Sequence, residues 1–309
     1  MSKLKNTKKS ITSNNSQESL FLELFNAKDK EKVNVISEMS KSISLGERGI
    51  YAKNNKLNDL TGREWKFSTK SVINKTYPLN LQHKLRKKHG GQKPPELCAD
   101  LIKIFTKEEA IILDPLAGVG GTLLGASLCK RKAIGIEINH EWIEIYKQVC
   151  KLDNLEEQKT ILGDCKIELK KFTDNFFDFI LTDVPYWHMD KLEKTRSKRM
   201  KQSNLSCFNG STIQTKDEWL NEMKTIFNEC QRALKDRKYL AIFIGDMYRE
   251  NEYHMLSSEL ANIVKNPNLM LKANLIWYDV SKSLHVYGYP STFIPSMIHQ
   301  NILIFRKEN

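Results

Sequence analysis

Short apolar runs alternate with segments of helical periodicity over most of this chain. Strand-like runs occur at residues 111–114, 133–138, 160–163, 177–183, 239–245, 274–278 and 301–306. Helix-compatible segments separate the first five runs, at residues 122–130, 141–152, 165–171 and 217–233. Because strands that alternate with helices pair in parallel through right-handed crossovers, the pattern predicts an α/β fold with a doubly wound, mainly parallel sheet. No helical segment separates the last two runs, so we expect an antiparallel hairpin at one edge of a seven-stranded sheet.

The first 92 residues have a different character. Residues 1–16 are polar and lack periodicity, which predicts a disordered basic tail. Residues 17–92 combine two short helical patterns with turn signals, so we expect a helical and irregular N-terminal annex. The regular alternation begins at Pro94, which opens a predicted helix. We therefore expect the main domain to span residues 93–309, with a basic insertion loop at 188–216.

Charge narrows the class of partner. The sequence contains 49 lysines and arginines against 37 aspartates and glutamates, for a net charge of +12. A strongly basic chain fits a polyanionic partner such as nucleic acid. The positive charge is concentrated at residues 3–9, 83–89 and 191–201, and the last two clusters flank the motifs described below.

Hydropathy and cysteine usage exclude several classes of protein. No apolar run reaches the length of about 18 to 20 residues that a membrane span requires. The N-terminus also lacks the apolar stretch of a signal peptide, so we expect a soluble, cytoplasmic protein without membrane association. The six cysteines show neither a CxxC pair nor the spacing of metal ligands. We expect reduced thiols and no metal site.

A glycine-rich turn follows the first strand of the alternating region, and the sequence there reads Asp114-Pro115-Leu116-Ala117-Gly118-Val119-Gly120-Gly121-Thr122. Such a turn lets the backbone approach a ligand at a helix N-terminus. Glu137 ends the second strand, where a carboxylate can accept hydrogen bonds from both hydroxyls of a ribose. Asp164 follows the third strand, where an acid can receive an adenine amino group. The initial Asp-Pro pair fits a dinucleotide fingerprint poorly.

The fourth strand ends in an acid, a proline and two aromatic residues, in the order Asp183-Val184-Pro185-Tyr186-Trp187. These residue types form a socket for a flat ring that carries an amino group. The Asp183 side chain and the Val184 carbonyl can accept the two amino hydrogens, and Tyr186 can stack on the ring. Trp187 either adds a stacking or cation–π contact or packs in the core.

The two motifs together resemble those of the S-adenosylmethionine-dependent amino-methyltransferases of DNA. That family has a glycine motif of the form Asp-Pro-(aromatic or aliphatic)-x-Gly-x-Gly-(Gly/Thr)-Thr and a catalytic motif (Asp/Asn/Ser)-Pro-Pro-Tyr. The resemblance runs from about Lys93 to Lys307, because residues 289–307 are similar to a proline-bearing loop that leads into the final strand of the family. It implies a Rossmann-like class I methyltransferase fold and S-adenosylmethionine as cofactor. Val184 departs from the pattern, since proline is usual at this position.

The resemblance also implies roles for individual residues. Gly118 and Gly120 would line the methionine portion of the cofactor, Glu137 would hold the ribose, and Asp164 would contact the adenine. Lys93 and Pro94 resemble a pair that helps to hold the methionine tail. The predicted cofactor-binding residues are Lys93, Pro94, Asp114, Pro115, Ala117, Gly118, Gly120, Thr122, Glu137 and Asp164, and the predicted catalytic residues are Asp183, Val184, Pro185 and Tyr186.

An exocyclic amine is a poor nucleophile because its lone pair is delocalised into the ring. Two acceptors that take both amino hydrogens localise the lone pair and aim it at the sulfonium methyl group. A base inside a duplex cannot reach such a pocket, so the target base is expected to be flipped out. Asp183 at the first motif position favours N6 of adenine, because cytosine-N4 members of the family more often begin with serine.

Two regions are candidates for contact with double-stranded DNA. One is the annex at 17–92, and the other is the basic loop after the catalytic motif. We predict that Trp187 contacts the nucleic acid and that the loop contacts phosphates through Lys191, Lys194, Arg196, Lys198, Arg199 and Lys201. The alternative for the loop is a solvated run of charge.

Three hypotheses follow from the sequence. The first is a site-specific DNA methyltransferase, acting on adenine N6 or alternatively on cytosine N4. It would serve a restriction–modification system, with a cognate restriction endonuclease as partner, or act as a solitary genome-marking enzyme. The second is a guanine-N2 methyltransferase of structured RNA, and the third is a catalytically degenerate DNA-binding partner subunit.

Overall fold

The structure is a computed structural model that describes residues 41–187, 215–249, 251–280 and 282–308. The predictions for the N-terminal tail, for the helical patterns before residue 41 and for the six basic residues between Lys191 and Lys201 lie outside the described residues. The described part divides into two compact units, one formed by residues 41–56 and 60–66 and the other by residues 57–59 and 67–308.

The first unit contains a small hairpin and the start of a helix. Strand β1 (Ser42–Ser44) pairs antiparallel with β2 (Ile50–Ala52), and the 3-10 helix Gly46–Arg48 connects them. Helix α1 (Gly62–Ser68) begins with a capping box, in which the Thr61 N–H donates to the Glu64 carboxylate at 2.8 Å and the Glu64 N–H donates to the Thr61 hydroxyl at 3.3 Å.

The second unit holds a large sheet with helices on both faces. Its strands are β3 (Val72–Ile73), β4 (Ile111–Asp114), β5 (Lys132–Glu137), β6 (Lys159–Leu162), β7 (Phe177–Asp183), β8 (Leu234–Ile244), β9 (Met247–Arg249), β10 (Glu252–His254), β11 (Leu269–Tyr278) and β12 (His299–Lys307). Its helices are α2 (His83–Arg86), α3 (Pro95–Phe105), α4 (Gly121–Leu128), α5 (His140–Leu152), α6 (Cys165–Glu168), α7 (Lys216–Ala233) and α8 (Leu256–Val264), together with the 3-10 helix Leu169–Lys171.

The sheet has eight strands in the order β3-β11-β12-β8-β7-β4-β5-β6. Neighbouring strands are parallel except at β12, which is antiparallel to both β8 and β11. The predicted doubly wound, mainly parallel sheet is therefore confirmed. Strands β9 and β10 form a separate antiparallel hairpin.

Two details of the predicted topology are wrong. The sheet has eight strands rather than seven, because β3 (Val72–Ile73) pairs in parallel with β11 and forms one edge of the sheet. The antiparallel pair of β11 and β12 is therefore not at the edge, and β12 lies between β11 and β8. A strand of two residues leaves no apolar periodicity in the sequence, and strand order depends on pairing between segments that are distant in the chain. The pattern also missed helix α8.

The core consists of two apolar layers, one on each face of the sheet. Phe179 and Leu181 of β7 belong to the layer that packs against α3, α4 and α5, and Ile180 belongs to the layer that packs against α7 and α8. Burial on both faces explains why the central strands are continuous apolar runs. Cys98, Cys129, Cys150, Cys165 and Cys230 are buried free thiols, as predicted. None of the helices in the described ranges is long and apolar enough to cross a membrane.

Candidate active site

Four carboxylates lie at the ends of four adjacent strands. Asp183 ends β7, Asp114 ends β4 and Glu137 ends β5, while Asp164 follows β6 by two residues. The carboxyl ends of parallel strands meet at one edge of a sheet, where α/β proteins bind their ligands. The topology therefore brings the predicted cofactor-binding and catalytic acids together.

Glu137 holds the glycine-rich turn in place. Its two carboxylate oxygens accept hydrogen bonds from the N–H of Gly118 at 2.7 Å and from the N–H of Asn139 at 2.8 Å. The Ala117 N–H also donates to the carbonyl of Ile136 in β5 at 2.9 Å. Burial raises the pKa of Glu137, and the backbone hydrogen bonds oppose this effect. One acid at the end of β5 thus sets the conformation of the turn that follows β4.

The two predicted cofactor glycines are required for different reasons. Both have left-handed backbone conformations, with φ of 51° at Gly118 and 78° at Gly120. A Cβ at Gly120 would lie 2.3 Å from Cδ2 of Tyr146, whereas a Cβ at Gly118 would lie 3.0 Å from Nε2 of His89. Burial, aided by the charge of Lys93, lowers the pKa of His89 to about 4, so its imidazole is neutral at pH 7. Gly120 therefore serves packing, and Gly118 lies beside a neutral imidazole.

Asp114 ties the glycine turn to β7. The side chain is 3% exposed, and its Oδ1 accepts hydrogen bonds from the Leu116 N–H at 3.1 Å and the Thr182 hydroxyl at 2.8 Å. The Thr122 hydroxyl donates to the carbonyl of Leu181 at 3.3 Å. Burial raises the pKa of Asp114 to about 6, although its hydrogen bonds lower it in part. The residue has a structural function beside its predicted cofactor function.

The remaining predicted cofactor residues lie at the same edge of the sheet. Pro115 and Ala117 are buried within the glycine turn, and Pro94 is the N-cap of α3. Asp164 is the N-cap of α6, where its carboxylate accepts a hydrogen bond from the Lys166 N–H at 2.8 Å. The contacts of these residues with a cofactor stay predictions.

Lys93 forms a partly buried ion pair with Asp183. Its ammonium contacts Oδ2 of the carboxylate, and the two side chains are 7% and 24% exposed. The same ammonium donates to the Gly91 carbonyl at 3.4 Å and lies 5.5 Å from the ring centroid of Phe243. The predicted contact of Lys93 with a methionine tail stays a prediction, and the structure adds a partner in the catalytic motif.

The second carboxylate oxygen of Asp183 has no partner. Oδ1 is buried and accepts no hydrogen bond from any described residue. Burial raises the pKa of Asp183, and the Lys93 ammonium opposes this effect. Cys98, Asp114 and Tyr186 are further titratable groups close enough to interact with its charge. A buried acceptor without a donor costs about 1–3 kcal/mol, so a donor from a ligand would stabilise this oxygen.

Val184 takes the position at which the motif usually has proline. Its N–H donates to the carbonyl of Phe243 at 3.4 Å, which extends the contact between β7 and β8 by one residue. The side chain is 2% exposed. The carbonyl of Pro185 accepts a hydrogen bond of 2.8 Å from the indole of Trp219 in α7. The additional N–H of Val184 is thus satisfied, and helix α7 supports the motif through the indole of Trp219.

Tyr186 is held by two residues that carry no sequence signal. Its ring lies over Gly245, where a Cβ would come within 3.0 Å of Cε2 and of the phenol oxygen. The phenol oxygen accepts a hydrogen bond from Nε2 of Gln300 in β12. Burial is the main cause that raises the pKa of Tyr186. The sequence analysis missed Gln300 because an isolated glutamine reaches the motif only through the antiparallel insertion of β12 beside β8.

Trp187 packs in the apolar layer under α7. It is 8% exposed, and its ring makes an edge contact with His254 at a centroid separation of 5.3 Å. The guanidinium carbon of Arg249 lies 5.0 Å from the Trp187 ring centroid. The structure therefore places Trp187 among core residues, and its predicted contact with nucleic acid stays a prediction.

One residue of the basic cluster at 83–89 is a structural cation. Arg86 is 1% exposed. Its guanidinium donates to the carbonyls of Asn80 at 3.2 Å, Leu81 at 2.8 Å and Lys93 at 3.2 Å. Arg86 therefore fixes the segment that leads to Lys93 and is not available for phosphate contact.

Comparison with known protein families shows to which family the chain belongs. The family described as DNA methylase, which comprises N6 and N4 methyltransferases, matches residues 3–148 and 177–309. The chain belongs to this DNA methylase family. The match includes the glycine turn, Glu137 and the Asp183–Tyr186 motif, and it omits residues 149–176, which contain Asp164.

The chain also has curated relatives that it matches over short segments. It is 52% identical over 52 residues to the type II methyltransferase M.HindIII of Haemophilus influenzae, which is 17% of each chain. It is 36% identical over 84 residues to the type II methyltransferase M.HpaI of Haemophilus parainfluenzae, over 27% of this chain and 24% of that one. A tRNA (guanine(10)-N2)-dimethyltransferase of Pyrococcus abyssi is 28% identical over 110 residues, over 36% and 33%. The chain thus spans at most a third of the length of these relatives.

The cofactor of this family is S-adenosylmethionine, and the residues at the sheet edge fit it. Each Glu137 oxygen accepts one backbone hydrogen bond, and a carboxylate has about four acceptor sites, so the side chain retains capacity for ribose hydroxyls. The turn around Gly118 stands at the N-terminus of α4 without a Cβ to block approach. We assign the turn and Glu137 as the residues that would hold the cofactor.

Proposed function

We propose that this methylase transfers a methyl group from S-adenosylmethionine to the exocyclic amino group of a flipped-out base in double-stranded DNA. The single observation that supports this most strongly is the unpartnered oxygen Oδ1 of Asp183. It is an acceptor at the end of β7, in a motif whose first residue takes an amino hydrogen in the chemistry expected from the sequence. The glycine turn and Glu137 lie at the ends of the next two strands, β4 and β5.

The chain has to orient the target amino group and to supply a charged acceptor for its hydrogen. Bound S-adenosylmethionine supplies an electrophilic methyl group. Asp183 accepts one amino hydrogen bond through Oδ1, which localises the nitrogen lone pair for attack on the methyl carbon. As the N–C bond forms, the electron pair of the broken C–S bond stays on sulfur, and the methylated amine loses one proton to solvent. The Val184 carbonyl is the proposed second acceptor, and Tyr186 offers a ring on which the flipped base stacks. Lys93 opposes the burial that raises the pKa of Asp183, which favours the ionised carboxylate, and its ammonium holds the other oxygen.

Adenine N6 is the proposed target, because the motif begins with Asp183 rather than serine. The proposed setting is the prokaryotic cytoplasm, in a restriction–modification system with a cognate endonuclease or as a solitary genome-marking enzyme. Double-stranded DNA is the proposed partner, and the basic residues from Lys191 to Lys201 are the proposed phosphate contacts.

Base-resolved analysis of the methylated product tests the proposal. Purified enzyme and tritiated S-adenosylmethionine are incubated separately with unmethylated duplex DNA and with tRNA, and the products are digested to nucleosides for mass spectrometry. We expect N6-methyladenine from DNA only. N4-methylcytosine as the sole product would overturn the choice of adenine. Methylation restricted to RNA would overturn the DNA substrate.

A second candidate function is guanine-N2 methylation of RNA, which the similarity to the Pyrococcus abyssi tRNA enzyme favours. The tRNA arm of the same experiment tests it, with N2-methylguanine as the expected product. A catalytically degenerate binding subunit is the third alternative. Methylation by the wild-type chain that is lost on Asp183→Ala would exclude it.

A further inference from the structure

Gln300 lies where β12 enters the active-site edge of the sheet. It is opposite Trp277 of β11, and the next residue of β12, Asn301, is opposite Ile244 of β8. Because β12 runs antiparallel to β7 and β8, the beginning of β12 meets the carboxyl end of those strands. This register places the Gln300 side chain beside the catalytic motif, 114 residues away in sequence from Tyr186.

The Gln300 carboxamide is only half satisfied. Its Nε2 donates to the phenol oxygen of Tyr186. Its Oε1 is buried and accepts no hydrogen bond within the described ranges. Asp183 Oδ1 is in the same condition. The catalytic motif and its direct neighbour therefore present two buried acceptors without donors, whereas buried polar atoms of folded proteins are normally paired.

We propose that Gln300 is a target-base contact that also positions Tyr186. In this inference, which rests on the proposed function, Nε2 holds the phenol over Gly245, and Oε1 shares the second amino hydrogen of the flipped base with the Val184 carbonyl in a three-centre hydrogen bond. One carboxamide then connects the stacking surface with the hydrogen-bonding edge of the same base. The glutamine lies outside both the glycine turn and the Asp183–Tyr186 motif.

The chemistry of two acceptors explains which bases this arrangement can select. Adenine and cytosine carry an amino group at the reactive position and can supply donors to Asp183 Oδ1 and Gln300 Oε1. Guanine and thymine present a carbonyl oxygen at that position, so acceptors would face an acceptor and leave buried groups unpaired. Gln300 therefore adds discrimination against bases with a carbonyl, and it does not discriminate adenine from cytosine.

Holding the phenol in place also lowers the cost of stacking. Gly245 leaves room for the ring on one side, and a side chain there would displace it. The hydrogen bond from Gln300 restricts rotation of the Tyr186 side chain before a base arrives. A preformed stacking surface loses less conformational entropy on binding than a mobile one.

A double-mutant cycle tests the inference. The variants are Gln300→Met, which keeps the length of the side chain and removes both polar atoms, Tyr186→Phe, which removes only the hydroxyl, and the double variant. Duplexes carry the methylated sequence identified in the wild-type assay. Single-turnover methylation and the fluorescence of 2-aminopurine at the target position are measured, because the fluorescence reports base flipping and stacking independently of methyl transfer.

We expect Gln300→Met to slow single-turnover methylation by about tenfold and to alter the 2-aminopurine signal, with S-adenosylmethionine affinity unchanged. In the Tyr186→Phe background we expect a further loss of about threefold, because the contact from Oε1 to the base remains to be lost. Unchanged rate and fluorescence in Gln300→Met would overturn the proposal. An unchanged rate on adding Gln300→Met to Tyr186→Phe would also overturn it, because Gln300 would then act through the tyrosine alone.

Asn274→Ala is the matched control. It removes a side-chain hydrogen bond of 2.8 Å between Asn274 of β11 and Asn301 of β12 without touching Tyr186. Asn274→Ala perturbs β12 one residue from Gln300, so a rate loss in Gln300→Met that Asn274→Ala reproduces would overturn the inference. The wild-type arm separates the two proposals. A wild-type chain that methylates no DNA contradicts the proposed function. An active wild type whose rate and fluorescence Gln300→Met leaves unchanged contradicts only the inference on Gln300.

Discussion

The two halves of the active-site edge differ in how their polar atoms are satisfied. On the glycine-turn side, Glu137 accepts backbone hydrogen bonds on both oxygens, and Asp114 accepts two on one oxygen. On the side of β7 and β12, Asp183 and Gln300 each keep one buried acceptor that no described residue supplies with a donor. In the first half, the acids hold the backbone of the turn in place. In the second half, two acceptors remain available to a ligand.

The difference shows how one sheet edge supports two kinds of binding. A turn that must approach a cofactor closely has to be rigid, and internal hydrogen bonds to a buried acid provide that rigidity. A socket that must recognise a neutral amino group needs acceptors without internal donors. The cost of leaving them unpaired is recovered only when the correct base arrives.

The largest expected effect comes from removing the unpartnered acceptor of the motif. We predict that Asp183→Ala reduces single-turnover methylation by about 1,000-fold, because the amino group loses the charged acceptor that orients its lone pair. S-adenosylmethionine affinity, measured by titration calorimetry, should change by less than about threefold if the two halves are separate. Asp178→Ala is the control, since Asp178 is an acid of the same strand that pairs with Lys235 at 2.9 Å. A large loss of cofactor affinity in Asp183→Ala would show that the halves are coupled.

Gly120→Ala tests the rigidity of the cofactor half. The left-handed backbone and the Tyr146 ring, 2.3 Å from the new Cβ, both oppose a side chain. We expect a loss of about 3 kcal/mol in the free energy of unfolding, measured by urea denaturation. Gly62→Ala is the matched control, because a Cβ there meets no atom within 4 Å. Equal stability of both variants would contradict the tight packing of the turn.

Asp114→Asn tests the buried acid that ties the turn to β7. Burial raises the pKa of Asp114 from its ordinary value of 3.8 to about 6. The folded state therefore holds the proton more tightly than the unfolded state, so this residue costs stability as pH rises from about 4 to about 6. The cost at pH 7 is at most about 3 kcal/mol.

Since asparagine keeps the shape without the charge, we expect Asp114→Asn to gain stability relative to the wild type over this pH interval. The measurement is urea denaturation of both proteins at pH 4, 5, 6 and 7. A difference between the two proteins that does not vary with pH would contradict the assignment.

Lys93→Met has the smallest expected effect and distinguishes two functions of this lysine. If Lys93 keeps Asp183 ionised, its removal raises the pKa of the carboxyl group further. The protonated, inactive form of Asp183 then persists to higher pH, and the acid limb of the rate profile moves to higher pH. We expect a loss of about tenfold on the acid side of the profile and a smaller one on the alkaline side, measured in single turnovers.

If Lys93 instead holds the methionine tail, its removal should weaken S-adenosylmethionine binding at every pH without moving the acid limb. Lys75→Met is the control, because Lys75 forms an exposed ion pair with Asp100 at 2.8 Å. That variant should match the wild type in both measurements.

Local patterns predicted those features that depend on neighbours in the chain. Strand β7 has the predicted bounds, and α4, α5 and α7 begin and end within two residues of theirs, because apolar periodicity and capping residues are local signals. The glycine turn and the Asp183 motif were recognisable because both need particular residue types in consecutive positions. The two-residue β3 and the insertion of β12 were not predictable in this way, because they depend on pairing between distant segments.

The sequence by itself determined the alternation of β4 to β8 with the helices between them, the four acids at strand ends and the family resemblance. Only the tertiary structure decided which residues the individual side chains and backbone groups contact. It paired Lys93 with Asp183, assigned Arg86 to three backbone carbonyls, gave the Val184 N–H a partner in β8 and brought Gln300 to Tyr186. The physical reason is that hydrogen bonds and ion pairs depend on distances of a few ångströms, which chain folding sets. Lys93 and Asp183 are 90 positions apart in the sequence, and Tyr186 and Gln300 are 114 positions apart.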